Sequence, residues 1–254
     1  MKLRVLGCSG GIGANLRTTS FLLDDDVLID AGSGLGDLTL AEMVKIRHIF
    51  LTHSHLDHVA FIPLLLDSIF EMIKQPVIVH AQPETIQALE KHIFNWHIWP
   101  DFSKLPQPSQ PVLKFEPMHP GERIVLNKRE FEMIEVNHTV PGVGYYVAGP
   151  SGTFAFSGDT TSNDTFWEAL NARERLDYLF VEVAFANMQI SLAQASRHYC
   201  PGLLALDLAK LLHRPVVYLT HLKPSEEHII FEEAKLDCQG MKLKILAGGE
   251  VFQV

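Results

Sequence analysis

The sequence predicts an α/β (α+β) protein whose two halves each contribute strands and helices, as a four-layer sandwich requires. Apolar runs of strand length recur along the 254 residues and alternate with helix-length segments. No internal repeat, charge run or low-complexity linker divides the chain. A dense group of metal-binding side chains lies between a predicted strand and a predicted helix. We therefore expect a single domain over residues 1–254, organised around a metal site.

The composition sets the class of protein. With 47% hydrophobic and 20% charged residues, the chain has the composition of a globular protein with a large core. The net charge of −9 and the isoelectric point near 5.8 argue against a general binder of phosphate backbones, which carries a basic face. A small anionic substrate is compatible with this charge, because metal ions dominate the field inside their own site.

The cysteines and the N-terminus predict the compartment. Cys8, Cys200 and Cys238 are odd in number and have no paired spacing, which predicts reduced thiols and a cytoplasmic location. Residues 1–7 show no long apolar segment with a small-residue cleavage site, so we expect no signal peptide. Charged residues interrupt the long apolar stretches before they reach a membrane span, so we expect no membrane partner.

The first half opens with a strand over 2–6 and the Gly-rich loop Gly7–Gly13. A dinucleotide-binding loop would open a helix, whereas residues 18–23 and 27–29 predict a hairpin. Nucleotide-cofactor binding is therefore not expected here. The further elements predicted in this half are a helix over 38–45, a strand over 49–51, a helix over 59–73, a strand over 76–80 and a helix opening at Pro83.

The second half is richer in strands. Alternating or continuous apolar runs predict them at 122–126, 131–136, 143–148, 153–156, 178–183, 216–220 and 241–246. Helices are predicted over 203–212 and 225–235, and a short helix through Leu170 with Asp164 as its cap.

The motif His53-x-His55-x-Asp57-His58 follows the predicted strand 49–51 directly. A tight turn would direct His53 and His55 to one divalent ion, and Asp57 and His58 to a second. Imidazole and carboxylate together suit zinc, manganese or iron, and two neighbouring ions are a feature of hydrolytic enzymes. A solvated His-rich turn is the alternative, but it does not account for four such side chains within six residues.

This motif resembles that of the metallo-β-lactamase superfamily. The resemblance implies an αβ/βα sandwich, the metallo-β-lactamase fold, with a cleft for two metal ions. It also implies three later ligands, and candidates occur in the required order: His138 after a strand, Asp159 in a Ser-Gly-Asp-Thr turn and His221 after another strand. By the same resemblance, Asp30 is a carboxylate beneath the metal site that orients a ligand His.

The superfamily pattern divides these ligands between two ions. One ion is expected on His53, His55 and His138 and the other on Asp57, His58 and His221, with Asp159 as the bridge. A water shared by the ions would lose its proton near neutral pH, and the resulting hydroxide would attack phosphorus. The expected cofactors are two divalent ions, zinc first, with manganese or iron as alternatives.

Several segments resemble the class II cyclic-nucleotide phosphodiesterases, a branch of this superfamily. Together they extend from the Gly-rich loop to Pro224, and they include Glu84-Thr85-Ile86, His92-Ile93-Phe94-Asn95, Trp99-Pro100-Asp101-Phe102, Val181-Glu182-Val183-Ala184-Phe185 and Thr220-His221-Leu222-Lys223-Pro224. One segment departs from the branch. Where the branch typically has Ser-Gly-His-Leu-Thr-Pro, this chain has Ser196-Arg197-His198-Tyr199-Cys200-Pro201. This departure puts the preferred substrate in question more than the type of reaction.

The aromatic segment 92–102 has two interpretations. Its resemblance to the phosphodiesterase branch implies that His92, Asn95 and Trp99 contact substrate, as aromatic walls of small-molecule sites do. The alternative is a hydrophobic cover over the core.

The same branch implies a proton donor for the leaving group. His198 is the candidate donor and Glu182 the partner that orients it, by similarity to phosphodiesterases of this superfamily. Asp57 has a second possible role as a proton relay. The alternative is that Glu182 ends a strand and that His198 is an ordinary surface His.

The leading hypothesis is a metal-dependent phosphodiesterase that opens 3′,5′-cyclic AMP or GMP, a small-molecule phosphodiester, to the 5′-monophosphate. The alternatives are a transfer-RNA 3′-processing endonuclease, a thioester or lactone hydrolase, and a metal-binding sensor without turnover. The acidic charge disfavours a nucleic-acid polymer as partner. Exposed aromatics such as Phe61, Trp96 and Trp99 leave a homodimer possible.

Overall fold

The computed structural model describes residues 1–254. Strands and short helices alternate in the first half. Its strands are β1 (Lys2–Gly7), β2 (Ser20–Leu23), β3 (Val27–Ile29), β4 (His48–Phe50), β5 (Val77–Ala81), β6 (Pro106–Gln107), β7 (Gln110–Pro111) and β8 (Leu113–Pro117). Its α-helices are α1 (Leu40–Met43), α2 (Leu56–Val59), α3 (Phe61–Ser68) and α4 (Pro83–His92), and 3₁₀ turns cover Ser33–Asp37 and Phe70–Met72.

The second half begins with a run of antiparallel strands and then alternates strands with helices. Its strands are β9 (Arg123–Leu126), β10 (Arg129–Val136), β11 (Gly142–Ala148), β12 (Thr153–Phe156), β13 (Tyr178–Glu182), β14 (Val216–Thr220), β15 (Lys242–Ile245) and β16 (Val251–Gln253). Its α-helices are α5 (Thr165–Asn171), α6 (Ile190–Ser196), α7 (Pro201–Leu208) and α8 (Glu227–Asp237), and a 3₁₀ turn covers Asn187–Gln189.

Two seven-stranded sheets have the same topology. The first has the order β16-β1-β2-β3-β4-β5-β8 and the second β15-β14-β13-β12-β11-β10-β9. From β16 in the first sheet and from β9 in the second, three antiparallel pairings are followed by three parallel ones. The halves therefore repeat one fold pattern although no sequence repeat links them, and β16 returns from the end of the chain to pair with β1.

Helices cover the outer face of each sheet, and a third core lies between the sheets. The period of two along a strand assigns neighbouring residues to different layers. In β13, Leu179 and Val181 belong to the core shared with the helices, whereas Phe180 between them belongs to the central core. In the first sheet, Ile49 faces the helices and Phe50 faces the centre. The order helix, sheet, sheet, helix confirms the predicted four-layer sandwich.

Aromatic rings hold the two sheets against each other. The ring of Phe50 in β4 stacks on that of Phe131 in β10, with centroids 4.4 Å apart and planes 7° apart. Phe21 from the first sheet likewise meets Phe156 from the second edge to face at 4.9 Å. Such pairs add to the stabilisation from area burial alone.

Proline explains why one predicted helix is interrupted. The helix expected over 59–73 is instead α2, α3 and a 3₁₀ turn, with a break at Ala60. Pro63 has no N–H with which to bond the carbonyl of Val59, so the ladder cannot continue across this point.

Other differences concern short elements. The strands β8 and β16 and the helix α6 are not predicted, because each is short and lacks a clear apolar period. Helix α5 forms as expected, but Asp164 does not cap it. Its carboxylate binds Lys210 at 2.7 Å, and the Oδ1 of Asn163 accepts from the N–H of Phe166 instead. No helix in the structure is both long and apolar enough to cross a bilayer.

A tyrosine hydroxyl in the central core ties β11 to the metal-motif turn. Tyr145 is fully buried and its hydroxyl donates to the carbonyl of Leu51 at 2.8 Å. We expect Tyr145→Phe to lower the free energy of unfolding by about 1–3 kcal/mol, because a buried carbonyl loses its partner. Urea denaturation measures this. Tyr218→Phe is the matched control: Tyr218 lies in the same core, its hydroxyl has no protein partner, and its substitution should change stability little. Equal losses in both variants would contradict the expectation.

Candidate metal centre

The predicted metal ligands lie at one edge of the sandwich, beyond the carboxyl ends of strands. His53 and its neighbours follow β4, His138 follows β10, Asp159 follows β12 and His221 follows β14. Within each sheet these strands run in the same direction, so their carboxyl ends meet at one edge. Side chains more than 160 positions apart in the sequence thus converge.

Two groups of side chains share Asp159. The first is His53, His55, His138 and Asp159, and the second is Asp57, His58, Asp159 and His221; in each, the potential ligand atoms lie within 4.8 Å of one another. The Asp159 carboxylate lies 3.3 Å from Nε2 of His58, 3.2 Å from Nδ1 of His221 and 3.7 Å from Nε2 of His53. The structure therefore brings together all seven predicted ligands with the predicted division.

Unpaired imidazole nitrogens test whether cations fit here. Nε2 of His53, Nε2 of His58 and Nδ1 of His221 are buried and have no hydrogen-bond partner. A buried nitrogen without a partner costs about 1–3 kcal/mol, and three of them surround one buried carboxylate. Imidazole nitrogens with carboxylate oxygens are the donor set of divalent zinc, manganese and iron. The residues fit two divalent ions.

Hydrogen bonds behind the imidazoles fix which nitrogen faces inward. Nδ1 of His58 donates to Asp30 at 2.7 Å, and Nδ1 of His138 donates to the carbonyl of Arg197 at 3.0 Å. Nδ1 of His53 donates to the Thr52 hydroxyl at 2.9 Å, since that hydroxyl itself donates to Asp30 at 2.8 Å. With Nδ1 protonated, each Nε2 carries the free lone pair that a metal needs.

Burial keeps the imidazoles of His138 and His221 in the neutral ligand form. It lowers the pKa of His138 to about 4 and that of His221 to about 3, because an imidazolium loses its hydration in the interior. Burial alone would raise the pKa of Asp159, but His221 and His58 beside it hold that pKa well below its usual range. A neutral imidazole and an ionised carboxylate are the states that bind metal.

Glu182 and His198 form a buried pair beside both groups. Nδ1 of His198 donates to Oε1 of Glu182 at 2.7 Å, and the His198 ring stacks on His221 and lies edge to face with His138. Glu182 is fully buried and also accepts from the backbone N–H of Thr160. Burial lowers the pKa of His198, but the Glu182 carboxylate outweighs this and raises it above its ordinary value. The pair is thus able to hold a proton at the edge of the metal centre.

Comparison with known proteins agrees with the fold and the site described above. A family model described as "Beta-lactamase superfamily domain" matches residues 26–222. The chain belongs to the metallo-β-lactamase superfamily. The crystal structure of the metallo-β-lactamase fold protein YhfI from Bacillus subtilis superposes with a TM-score of 0.79 at 21% identity, covering 99% of each chain. The predicted fold is confirmed, and the chain is a hydrolase of this superfamily with a His and Asp cluster able to hold metal.

The curated relatives of this chain are named as two kinds of enzyme. A "Probable 3′,5′-cyclic-nucleotide phosphodiesterase" from Yersinia pestis is 26% identical over 87% of this chain and 77% of its own length. A "Ribonuclease Z" from Methanococcus maripaludis is 30% identical over 57% of this chain and 48% of its own length. The resemblance to cyclic-nucleotide phosphodiesterases is therefore found along most of the chain, whereas the ribonuclease match covers about half.

The metal centre does not include His92, Asn95 and Trp99, which the sequence predicts to contact substrate. His92 ends α4 at the surface, and Trp99 packs on the outer core of the first sheet. The Asn95 side chain closes a turn: Oδ1 accepts from the N–H groups of His97 and Ile98, and Nδ2 donates to the carbonyl of Lys91. Neither metal group includes them. This placement matches a cover over the core, and their contact with substrate stays a prediction.

The Gly-rich loop positions the last ligand. The N–H of His221 donates to the carbonyl of Cys8 at 2.7 Å, and the N–H of Gly10 donates to the carbonyl of Leu222 at 3.0 Å. A Cβ on Gly10 would lie 2.3 Å from the His221 carbonyl oxygen, so only glycine allows this approach. The loop that superficially suggests dinucleotide binding thus connects the two halves at the metal centre.

Sequence reasoning named Asp30 among the residues that fix the ligands from behind, but it missed Thr52, Arg197 and Gly10. Thr52 could have been found, since it directly precedes the motif. Arg197 is marked only by its departure from the phosphodiesterase pattern, and no sequence signal links Gly10 to His221. Asp30, Arg197 and His221 all adopt left-handed backbone conformations, with φ of 57°, 53° and 60°. Such strain in non-glycine residues concentrates at functional sites.

Loss of the carboxylate behind His58 should weaken metal binding. We expect Asp30→Asn to reduce metal affinity about 10–100-fold, because His58 loses the anion that orients it. Asparagine tolerates the left-handed backbone at this position, so the fold should be retained. Competition with a chelator measures the affinity, and the exposed Asp25→Asn provides the control. Unchanged affinity in Asp30→Asn would contradict the role.

Crowding the Gly-rich loop should displace His221. We expect Gly10→Ala to lower stability by about 1–3 kcal/mol, as forced overpacking does, and to reduce the metal bound per chain below that of the wild type. Denaturation and elemental analysis measure the two effects. Gly248→Ala is the matched control, because its nearest non-neighbouring atom lies 4.0 Å from the added Cβ. Full metal content in Gly10→Ala would show that His221 does not depend on this contact.

Proposed function

We propose that the chain is a metal-dependent phosphodiesterase that opens 3′,5′-cyclic AMP or GMP to the 5′-monophosphate. The observation that carries this proposal is the buried Glu182 and His198 pair beside the two metal groups. Hydrolysis of a thioester or lactone needs no such donor matched to a ribose leaving group. The similarity to the Yersinia pestis phosphodiesterase along most of the chain supports the same conclusion.

In this proposal, each of the two groups of side chains would bind one ion. One ion would be held by His53, His55 and His138 and the other by Asp57, His58 and His221, and both groups of residues include Asp159. When bound, two divalent ions activate a water nucleophile near neutral pH and neutralise charge on phosphoryl oxygens. The hydrogen bonds behind the imidazoles hold these side chains in place before substrate arrives, which avoids reorganisation during the reaction.

His198 supplies the proton that the leaving oxygen needs. Cleavage of the bond between phosphorus and the ribose 3′ oxygen leaves an alkoxide, a poor leaving group unless it is protonated. Because Nδ1 of His198 donates to Glu182, Nε2 is the nitrogen that faces the substrate. Glu182 is itself fixed by the N–H groups of Thr160 and Tyr199 at 3.0 and 3.3 Å, so it orients His198 in one direction.

Asp57 has a second role as a proton relay. Its side chain is 33% exposed, whereas those of His58, His221 and Asp159 beside it are buried. Its carboxylate lies 3.8 Å from Nε2 of His58 and 3.9 Å from Nε2 of His221. Asp57 is therefore the member of its group that can exchange a proton with solvent.

A transfer-RNA 3′-processing endonuclease is the second candidate. The 30% identity to the Methanococcus maripaludis ribonuclease Z over 57% of this chain favours it. The net charge of −9 disfavours it, because gripping a polynucleotide requires a basic surface. Assays with a transfer-RNA precursor distinguish this candidate from the cyclic-nucleotide phosphodiesterase.

The proton donor is tested by comparing leaving groups. With metal content quantified, we expect His198→Ala to lower kcat for cyclic AMP and cyclic GMP by about 10²–10⁴-fold. The loss with bis(p-nitrophenyl) phosphate should be much smaller, because p-nitrophenolate leaves without a proton. Steady-state kinetics on all three substrates measures the difference, and the exposed His228→Ala serves as the control.

Two results would contradict the proposal in different ways. Equal losses on all substrates in His198→Ala would remove the proton-donor role while leaving the reaction in place. If the metal-loaded protein cleaves only the activated ester, cyclic nucleotides are not its substrates, and transfer-RNA precursor, thioesters and lactones become the next to test.

A further inference from the structure

A cavity of about 670 Å³ opens beside His138, and its charges are unusual. Arg197 is the only lysine or arginine that lines it. Of its three carboxylates, Glu84 and Glu135 are exposed and have no cationic partner, whereas Asp164 binds Lys210. The volume is within the range of small-molecule sites. The cavity thus offers one cation and two free carboxylates next to the metal centre.

Arg197 stands where backbone geometry favours glycine. It ends α6 with φ 53° and ψ 53°, in the left-handed region, which glycine adopts without strain. The phosphodiesterase branch that this segment resembles typically has glycine at this point. A side chain kept at a strained position indicates that the side chain itself has a use.

The guanidinium of Arg197 is held in place but mostly unpaired. Nη1 donates to the carbonyl of His138 at 2.7 Å, and the Arg197 carbonyl accepts from Nδ1 of the same His. No carboxylate forms an ion pair with Arg197, and its Nε and Nη2 have no protein acceptor. The guanidinium therefore presents a fixed fork of donors in the wall of the cavity.

The two free carboxylates decide what kind of group fits. A second phosphate in the cavity would be repelled by Glu84 and Glu135, so a neutral ring with both acceptors and donors fits better. The amides of Asn137 and Asn163 already donate to neighbouring oxygens. Gln82 also lines the cavity, but its Oε1 is buried away from solvent, so the exposed acceptors of the cavity are its carboxylates.

The geometry points to a guanine-binding site, and this inference rests on the proposed cyclic-nucleotide activity. We propose that Arg197 donates to O6 and N7 of guanine, while a free carboxylate of the cavity, Glu84 or Glu135, accepts from the N1–H and the N2 amino group. Adenine has N7 as an acceptor but an amino group at C6, which faces the arginine donors without forming a bond. The chain therefore prefers cyclic GMP to cyclic AMP.

Kinetics with metal-loaded protein tests this preference. For the wild type, kcat/KM should be about ten to one hundred times higher for cyclic GMP than for cyclic AMP, the discrimination typical of a bidentate arginine contact. In Arg197→Gly, whose backbone suits the left-handed conformation, this ratio should fall close to one. Arg197→Lys keeps the charge but loses the fork, so its ratio should fall as well. Lys91→Ala removes an exposed cation outside the cavity and should keep the wild-type ratio.

Binding of the products separates this inference from the proposed function. Calorimetry with 5′-GMP and 5′-AMP should show tighter binding of 5′-GMP to the wild type and no difference in either Arg197 variant. If neither cyclic nucleotide is hydrolysed but this binding difference appears, the guanine site stands and the proposed activity falls. Equal binding of both products to the wild type, or a guanine preference that persists without Arg197, overturns the inference.

Discussion

The metal centre depends on one buried carboxylate. Asp159 is shared by two groups of imidazoles, and the unpaired nitrogens of His53, His58 and His221 lie around it. Buried ring nitrogens without a protein partner around a buried anion are unfavourable by themselves, and divalent ions would complete the arrangement. The hydrogen bonds of Asp30 to His58, of Thr52 to His53 and of the Arg197 carbonyl to His138 turn the opposite ring nitrogens toward the metal groups. The arrangement of strand ends, loop and supporting residues follows from this requirement.

The ligands of the His53–His58 motif could be predicted because the residues that indicate them are neighbours in the sequence. The motif from His53 to His58 contains its candidate ligands within six residues, between a strand and a helix, and its alternate positions suffice to divide them between the two groups of side chains. The later ligands required the resemblance to a known superfamily, since a lone His after a strand has no meaning by itself. The helix break ahead of Pro63 could also have been predicted from the sequence, because a proline inside a helical pattern removes a backbone hydrogen bond.

Features that depend on contacts between distant segments could not be predicted. The Gly-rich loop bonds to His221 more than 200 positions later, and nothing in Gly7–Gly13 indicates that partner. Strand β16 has three residues and exists because β1 offers an edge, so its own composition carries no signal. The side chain of Asn163, rather than that of Asp164, caps α5 because Lys210, in the turn after α7, binds the carboxylate. In each case tertiary contacts override local preference.

The stack of Phe50 on Phe131 has a consequence for how such proteins diversify. These rings join the strand that leads to His53 with the strand that leads to His138, so the spacing of the sheets sets the separation of ligands from the two halves. Neither half carries a complete metal group, since each group combines residues from both. Recombination that exchanged one half for that of a relative would therefore preserve the metal centre only if the aromatic contacts kept the same distance between the sheets. Under this constraint the interior rings must change together.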